Sequence, residues 1–251
     1  MLKILLSGCN GRMGQAVTRL TAKNDGIVIV AGIDLYKTGT EAYPVYDKPT
    51  DFTGDADVIV DFSNASALPG LVDYALSRRL PLLIATTGLD DGQIKILTDA
   101  SSVIPVFRTA NMSMGVNILC ELVKKTAKLL GEDFDIEIVE KHHNQKVDAP
   151  SGTALMLADA AAEGVENAKY VYERQSVRQK RDKNEIGIHS VRGGTIVGEH
   201  EVIFAGYDEI ITLSHSAASR ELFAVGALKA AVFLADQKPG LYSMADVIGV
   251  I

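Results

Sequence analysis

Residues 140 to 153, EKHHNQKVDAPSGT, bring together side chains that can donate protons and bind anions. His142 and His143 are adjacent and Lys146 follows closely, in a chain that has five histidines among 251 residues. A histidine with its ordinary pKa of about 6.5 is protonated enough near neutral pH to act as a general acid, and a lysine is an alternative acid. The segment predicts a small anionic substrate with a proton donor beside it.

The next residues, Ser151, Gly152 and Thr153, resemble the start of a helix. Backbone amides, two hydroxyls and the positive end of a helix dipole attract a carboxylate without any overall basic charge. We expect Ala149 to be extended because it precedes a proline. If His142 and His143 end a strand, their side chains point to opposite sides, so that one of them faces a ligand. A structural histidine is the alternative for either one alone.

A second group of residues, GCNGRMG, places Gly8, Gly11 and Gly14 between an apolar run and a helical pattern, and Asp34 follows 20 residues later. Such glycines let the backbone approach a pyrophosphate, and an acid at that distance accepts hydrogen bonds from ribose hydroxyls and repels a 2′-phosphate. This pattern predicts a dinucleotide site with NADH preferred and NADPH possible. A tight turn with a surface aspartate is the alternative. Arg12 either reaches the nucleotide or stays solvated.

Two loops, ATTG at residues 85–88 and TANMS at residues 109–113, follow predicted parallel strands. Ligands of open α/β sheets lie along the edge formed by the carboxyl ends of the strands. We therefore expect Thr86, Gly88 and Asn111 to touch a nicotinamide or its ribose, although turn formation alone would also explain the glycine and the asparagine.

The elements that must position these residues alternate over the first 110 residues. This alternation predicts a Rossmann-type doubly wound parallel sheet, in the α/β class. The predicted strands are Leu2–Ser7, Ile27–Ile33, Asp57–Phe62, Pro81–Thr86 and Val103–Phe107, and the predicted helices are Met13–Lys23, Ala65–Arg78 and Asp91–Ala100.

Beyond a long amphipathic helix at Ser113–Gly131, three successive strands without crossover helices predict a smaller α+β substrate domain with a mixed or antiparallel sheet. Glu163–Asn184 is polar and is expected to be a solvated loop, and Ser219–Ala235 is the last predicted helix before a short tail. The predicted strands are Phe134–Glu140, Ile186–Val191, Thr195–Phe204 and Glu209–Ser214. We expect residues 1–112 and 220–251 to bind the dinucleotide, and residues 113–219 to bind the substrate.

The composition argues against nucleic acid, membranes and metal ions as binding partners. A net charge of −7 gives no basic field that would attract nucleic acid or an anionic membrane. No apolar run approaches the roughly 20 residues of a membrane span, and the N-terminal run is too short for a signal peptide, so we expect a cytoplasmic protein. Cys9 and Cys120 have neither a disulfide framework nor a zinc spacing, so we expect two reduced thiols and no metal site.

Several motifs together resemble those of the dihydrodipicolinate reductase family of bacterial lysine and diaminopimelate synthesis. They span almost the whole chain in order: GCNGRMG, ATTG, TANMSMGVN, EKHHNQKVDAPSGTA, VRGGTIVGEHEV and HSAASR. The resemblance implies reduction of a cyclic dicarboxylate, 4-hydroxy-tetrahydrodipicolinate or its dehydrated form, with NADH or NADPH. It also implies a homotetramer that is formed through residues 113–219.

The same resemblance implies residue roles. His142 corresponds to the proton donor and Lys146 to its companion acid. The implied substrate contacts are His143, Lys146, Ser151, Gly152 and Thr153. The implied cofactor contacts are Gly8, Gly11, Arg12, Met13, Gly14, Asp34, Ala85, Thr86, Thr87, Thr109, Ala110, Asn111 and Met112.

One position departs from the family members that use NADPH readily, which often carry a basic residue directly after the acid. Here Leu35 and Tyr36 follow Asp34, and Lys37 is the nearest cation. Two other functions compete with the reductase. One is another two-domain NAD(P)-dependent dehydrogenase of a small carboxylate, and the other is a regulator that senses NAD without catalysis. The HHxxK segment beside an anion site argues against both.

Overall fold

A computed structural model describes residues 1–39 and 41–249 and divides the chain into two compact units. Among the described residues, unit 1 comprises 1–113 and 221–249, and unit 2 comprises Met114–Arg220. The boundaries expected from the sequence lay at 112/113 and 219/220. The last two residues of the first expected domain, 250 and 251, lie outside the described residues.

Unit 1 is built on a seven-stranded sheet in the order β12-β6-β5-β4-β1-β2-β3. All neighbouring strands in it are parallel, which confirms the predicted Rossmann-type sheet. The strands are β1 (Leu2–Ser7), β2 (Ile27–Ile33), β3 (Val45–Tyr46), β4 (Val58–Asp61), β5 (Leu82–Ile84), β6 (Pro105–Arg108) and, near the end of the chain, β12 (Gly240–Tyr242).

Helices cover this sheet because its central strands are apolar on both faces. Leu5, Ile59 and Leu82 lie on one face and have no exposed surface. Leu6, Val60 and Leu83 lie on the other face and have none either. Residues that are buried on both sides of a strand are typical of parallel sheets between helical layers. The helices of unit 1 are α1 (Arg12–Thr21), α2 (Leu68–Arg78), α3 (Asp91–Ala100), α6 (Glu221–Ala235) and α7 (Met244–Ile248).

Unit 2 contains a five-stranded mixed sheet in the order β11-β10-β7-β9-β8, which confirms the predicted mixed sheet. β10 is antiparallel to β7 and β11, whereas β9 is parallel to β7 and β8. The strands are β7 (Asp135–His142), β8 (Lys169–Val171), β9 (Glu185–Arg192), β10 (Glu199–Ala205) and β11 (Ile210–Ser216). Helices α4 (Met114–Leu130) and α5 (Gly152–Ala162) pack on the apolar residues of β7, β9 and β10.

Three short strands differ from the predictions. The expectation of a loop throughout Glu163–Asn184 is wrong, because Lys169–Val171 forms β8 against β9. β3 was not predicted, and the expected tail contains β12 and α7. Strands of two or three residues at a sheet edge have too few positions for an alternating pattern, so their neighbours determine them.

Both cysteines are free: Cys9 is buried and Cys120 is partly buried. Burial raises the pKa of the Cys9 thiol to about 11 and that of Cys120 to about 12, so both are protonated near neutral pH. Among the described residues, no helix has the length and apolar character needed to cross a membrane.

Candidate active site

The glycine loop between β1 and α1 needs glycine for steric reasons. Gly8 has a φ of +73°, and a Cβ atom there would lie 2.6 Å from the carbonyl oxygen of Phe62. A Cβ atom on Gly14 would lie 2.2 Å from the carbonyl oxygen of Gly8. The turn therefore closes only without side chains at these two positions, as the dinucleotide pattern requires.

A cavity of about 430 Å³ lies at the end of β1 and β2 and contains three of the predicted cofactor residues, Gly8, Gly11 and Asp34. The Asp34 carboxylate accepts hydrogen bonds from the backbone amides of Asn10, at 2.9 Å, and Tyr36, at 3.0 Å. These local bonds fix the carboxylate at the wall of the cavity.

The cation nearest to Asp34 in the sequence is already paired. Lys37 Nζ lies 2.6 Å from Asp47 Oδ1, and Asp47 itself lines the cavity. Hydrogen bonding to Asp47 raises the pKa of Lys37, so the ammonium stays charged. No lysine or arginine is among the described residues that line this cavity.

A second cavity, of about 500 Å³, lies at the carboxyl ends of β4, β5 and β6 and shares Phe62 and Ser63 with the first. It is lined by the remaining predicted cofactor residues except Gly14, namely Arg12, Met13, Ala85, Thr86, Thr87, Thr109, Ala110, Asn111 and Met112. Gly14 is buried within α1, and Gly88, which we also expected near the nicotinamide, does not line this cavity.

Asp61, at the end of β4, is a residue of this region that the sequence prediction missed. It is 1% exposed, and it accepts hydrogen bonds from the hydroxyls of Thr86, at 2.6 Å, and Ser63, at 2.5 Å. Its position directly after the buried run Val58–Val60 was the available signal, because side chains at that edge face the ligand region of such sheets.

In unit 2, β7 carries Glu140 and His142 inward on the same face, as period-two alternation requires. His142 Nδ1 lies 2.6 Å from Glu140 Oε2. The Glu140 side chain is completely buried, and the His142 side chain is 11% exposed. The His142 ring is therefore mostly buried, and its Nδ1 meets the carboxylate of Glu140.

Glu140 is the centre of a buried polar network that the sequence prediction did not include. Arg192 Nη1 and Nη2 donate to its two oxygens at 2.8 and 2.7 Å, and the backbone amide of Ser151 donates at 3.0 Å. Burial alone raises the pKa of this carboxyl, but hydrogen bonds from Arg192 and His142 outweigh it and lower the pKa to about 2. Glu140 is therefore ionised at neutral pH.

His200, on β10, completes this cluster. Its ring contacts that of His142 edge to face, with centroids 5.2 Å apart, and its Nε2 lies 3.0 Å from the Ser151 hydroxyl. Burial lowers the pKa of His200 to about 4, with a further contribution from His142. His200 is consequently uncharged near neutral pH.

Ser151 caps α5 rather than facing solvent. Its hydroxyl oxygen accepts a hydrogen bond from Ala154 N at 3.1 Å, and the residue is 1% exposed. Gly152 is exposed and Thr153 is partly exposed. The Ala149–Pro150 peptide bond before this cap is cis.

His143 follows the last residue of β7 and lines a cavity of about 410 Å³ in unit 2. Arg220, which the prediction missed, lines the same cavity and lies 3.1 Å from His143 Nε2 through its Nη2. The guanidinium can only donate, so His143 Nε2 is the acceptor.

Lys146 is 20% exposed, and its ammonium lies 2.8 Å from Asp148 Oδ1. Hydrogen bonding to Lys146 lowers the pKa of Asp148. The segment from 142 to 153 thus presents a lysine, a histidine and a helix start around one loop, next to the buried network of Glu140. Among the described residues, no group of three or more His, Cys, Asp or Glu side chains could hold a metal ion.

Comparison with known proteins identifies the family. Residues 2–112 match the family described as dihydrodipicolinate reductase, N-terminus, and residues 115–248 match the corresponding C-terminus. The chain belongs to the dihydrodipicolinate reductase family. Its members are NAD(P)H-dependent 4-hydroxy-tetrahydrodipicolinate reductases of lysine and diaminopimelate biosynthesis. This membership confirms the resemblance drawn from the sequence and the reductase activity that it implied.

Relatives within the dihydrodipicolinate reductase family are similar over their full lengths. The 4-hydroxy-tetrahydrodipicolinate reductase of Caldanaerobacter subterraneus subsp. tengcongensis is 55% identical over 249 residues, which are 99% of this chain and 98% of the relative. That of Clostridium botulinum is 49% identical over 252 residues, covering 100% of this chain and 99% of the relative.

A solved dihydrodipicolinate reductase from Paenisporosarcina sp. TG-14, described as dipicolinate bound, is similar with a TM-score of 0.81 and 25% identity, covering 99% of this chain and 100% of that one. A myo-inositol dehydrogenase from Lactobacillus casei has a TM-score of 0.58 and 18% identity over 98% of this chain and 90% of its own. The second comparison concerns the fold alone.

Proposed function

We propose that this chain reduces 4-hydroxy-tetrahydrodipicolinate to tetrahydrodipicolinate, that unit 1 binds the nicotinamide cofactor, and that His142 and Lys146 of unit 2 supply the proton. The observation that carries the proposal is the full-length 55% identity with a reductase of this activity, in a chain that keeps His142 beside an ionised Glu140. When bound, the nicotinamide supplies a hydride.

The cavities of unit 1 fit a dinucleotide. The cradle at Gly8 and Gly14 has no room for side chains, and Asp34 is fixed at its wall by two backbone amides. Gly8, Gly11 and Asp34 would hold the pyrophosphate and the adenosine ribose, and the residues of the second cavity, including Thr86 and Asn111, would hold the nicotinamide end.

The residues of unit 2 suit a small dicarboxylate. Lys146, the N-terminus of α5 at Gly152 and Thr153, and the pair of His143 and Arg220 provide positive charge or donors. Asp148 holds Lys146 until an anionic substrate competes for the ammonium. Ser151 contributes through the shape of the helix start, because its hydroxyl is directed inward.

NADH is the preferred cofactor in this proposal. A 2′-phosphate would face the carboxylates of Asp34 and Asp47, which both line the first cavity. Lys37 offers little compensation because Asp47 already binds it. Like charges at this distance disfavour the phosphate, and we expect a preference on the order of tenfold in kcat/KM.

The decisive experiment supplies the cyclic substrate enzymatically and follows NADH oxidation by the purified chain. Turnover that depends on the substrate supports the reductase. NADH binding without turnover would instead indicate the sensing regulator, and turnover only with other amino or sugar acids would indicate another dehydrogenase.

Lys146→Ala tests the substrate assignment. Because one ammonium is asked to bind a carboxylate and to support proton delivery, we expect KM to rise and kcat to fall, each by about tenfold or more. Lys141→Ala on β7, which pairs with Glu199 and Glu201, is the control. Values of KM and kcat within about twofold of wild type would show that Lys146 is not part of the anion site.

We also propose that the protein is cytoplasmic, as the sequence predicted, and that it forms a homotetramer, as the family resemblance implied. Light scattering coupled to size exclusion measures the assembly directly. A monomer or dimer at assay concentration would contradict the tetramer.

A further inference from the structure

The buried contact between Glu140 and His142 determines which nitrogen of His142 is available to a substrate. Glu140 Oε2 lies 2.6 Å from Nδ1 and is itself completely buried. An ionised carboxylate only accepts hydrogen bonds, so Nδ1 must carry a proton to make this contact. In neutral His142 the single ring proton is therefore on Nδ1.

The other nitrogen of His142 faces an open position. A Cβ atom on Gly198 would lie 3.1 Å from Nε2, so the absence of a side chain there leaves room beside this nitrogen. Among the described residues Nε2 has no hydrogen-bond partner. Nε2 is thus the ring atom at which a proton can be exchanged.

We propose that Glu140 is a positioning residue that keeps a proton on Nδ1 of His142 and so makes Nε2 the atom through which His142 protonates the substrate. This inference rests on the proposed function. In the step, the π bond of the substrate that receives hydride at one end breaks, and its electron pair moves to the atom at the other end. That atom takes the proton from His142: the Nε2–H bond of the imidazolium breaks and its electron pair stays on Nε2. Neutral His142, protonated at Nδ1, remains.

The surroundings of Glu140 hold it in place for this task. Arg192 binds both of its oxygens, and the Ser151 amide fixes one of them. A carboxylate held on several sides cannot follow the imidazole, so the imidazole must take its orientation from the carboxylate. The titratable and charged groups around His142 are Glu140 on β7, Arg192 on β9, His200 on β10, His215 on β11, and Lys146 and Asp148 in the following loop.

Nitrogen NMR of the wild-type chain, labelled with 15N histidine, tests the proposal without any turnover. At a pH where His142 is neutral, we expect its Nδ1 to have the chemical shift of a protonated nitrogen and its Nε2 that of an unprotonated one. The spectrum of His142→Gln identifies the signals. A protonated Nε2 in neutral His142 would overturn the proposal.

Kinetics with Glu140→Gln provide the second test. Loss of the carboxylate removes the charge that stabilises the imidazolium, so the alkaline limb of the kcat/KM profile should move to lower pH by about one unit or more. We expect kcat to fall by roughly tenfold or more while KM changes less. Glu140→Asp restores the negative charge, so its alkaline limb should lie close to the pH at which wild type has it. An unmoved limb in a folded Glu140→Gln variant would refute the role.

The chain contains a matched control on the other face of the same sheet. Glu137 Oε2 lies 2.8 Å from His189 Nε2, and Arg181 also binds Glu137. Glu137→Gln should leave the alkaline limb where wild type has it; an equal shift would show that the limb reports general electrostatics and would contradict the proposal.

Gly198→Ala keeps Glu140 and probes Nε2 directly. The added methyl should lower kcat several-fold and leave the limb unmoved; unchanged kcat would contradict the assignment of Nε2. A wild-type chain that shows the expected tautomer but does not turn over the cyclic substrate would refute the proposed function instead.

Discussion

Two carboxylates of this protein, Asp34 in unit 1 and Glu140 in unit 2, are held in opposite ways. Asp34 accepts hydrogen bonds from two backbone amides, those of Asn10 and Tyr36, and lines an open cavity. Glu140 is completely buried and is held by charged or titratable side chains, those of His142 on its own strand and Arg192 on a neighbouring strand. The first carboxylate can meet a ligand directly, whereas the second can act only through its neighbours.

Because Asp34 is open to solvent and Glu140 is not, replacing the two carboxylates should have different energetic consequences. Charges at an open surface are screened by water and salt, so replacing one changes binding modestly. Removing one partner from a buried charge pair leaves the other uncompensated and costs roughly 3–5 kcal/mol. Changes in the buried region should therefore have the larger effects on turnover and folding, and changes at the open cavity should alter mainly the choice of nucleotide.

The strongest test of this contrast is His142→Gln. Removing one general acid should lower kcat by roughly 10²–10⁴-fold and leave NADH affinity much less affected. Kinetics and calorimetry measure the two quantities, and His189→Gln serves as a control on a histidine that also contacts a glutamate. A near-normal kcat would remove His142 from the mechanism.

On the open side, Gly11→Val should weaken NADH binding on the order of 100-fold, because a side chain would occupy the approach of the pyrophosphate. An added Cβ would lie 3.3 Å from Gly8 O, a tight contact that requires the loop to shift by a few tenths of an ångström, so circular dichroism and thermal unfolding first establish that the variant folds. Gly70→Ala in α2, where a Cβ meets nothing within 4 Å, is the control. Calorimetry showing wild-type affinity for folded Gly11→Val would contradict the placement of the loop.

The buried cluster should also make stability depend on pH. The pKa of His200 in the folded protein, about 4, lies below the ordinary value of 6.5, so the unfolded chain binds more protons between these values. The free energy of unfolding should therefore fall as pH decreases from 6.5 to about 4, by roughly 1–3 kcal/mol from this group.

Urea denaturation of wild type and His200→Gln at several pH values measures this effect. For each protein the free energy of unfolding is plotted against pH. The difference between the two slopes gives the contribution of His200 separately from that of His215, whose pKa is also lowered by burial. Parallel curves for the two proteins would show that His200 titrates normally.

The smallest expected effect concerns the nucleotide phosphate. Asp47→Asn removes one negative charge from the cavity and releases Lys37, so the ratio of kcat/KM for NADPH to that for NADH should rise by a few-fold. Adding Lys37→Ala should cancel part of the gain, and high salt should reduce it. Asp55→Asn, an exposed site outside the cavity lining, is the control. An unchanged ratio would show that Asp47 does not influence the choice between NADH and NADPH.

The same contrast explains what the sequence could predict. The glycine loop and Asp34 belong to one unit of two strands and a helix, β1, α1 and β2, so a local pattern is sufficient. Arg192 lies 52 residues from Glu140, and the pair forms because β7 and β9 are in register, with His142 opposite Arg192. A single sequence contains no local signal for that register.

The sequence predicted that β7 ends at Glu140, and for that reason the role of Glu140 was not predicted. The strand continues to His142, which places both residues on the inner face, and His200 lies opposite Glu140 on β10. The apolar strands and the long helices were predictable because their patterns extend over many residues, whereas β3, β8 and β12 depend on neighbouring strands.

The pairing of β12 with β6 has a consequence for synthesis on the ribosome. Unit 1 contains both ends of the described chain, so its sheet lacks β12, and its core lacks α6, until the whole of unit 2 has been made. Unit 2 is continuous and has all its strands earlier. We expect nascent chains that are just long enough to expose Arg220 outside the ribosome to have a protease-resistant unit 2 and a protease-sensitive N-terminal segment, which reverses the usual order in which N-terminal domains mature first.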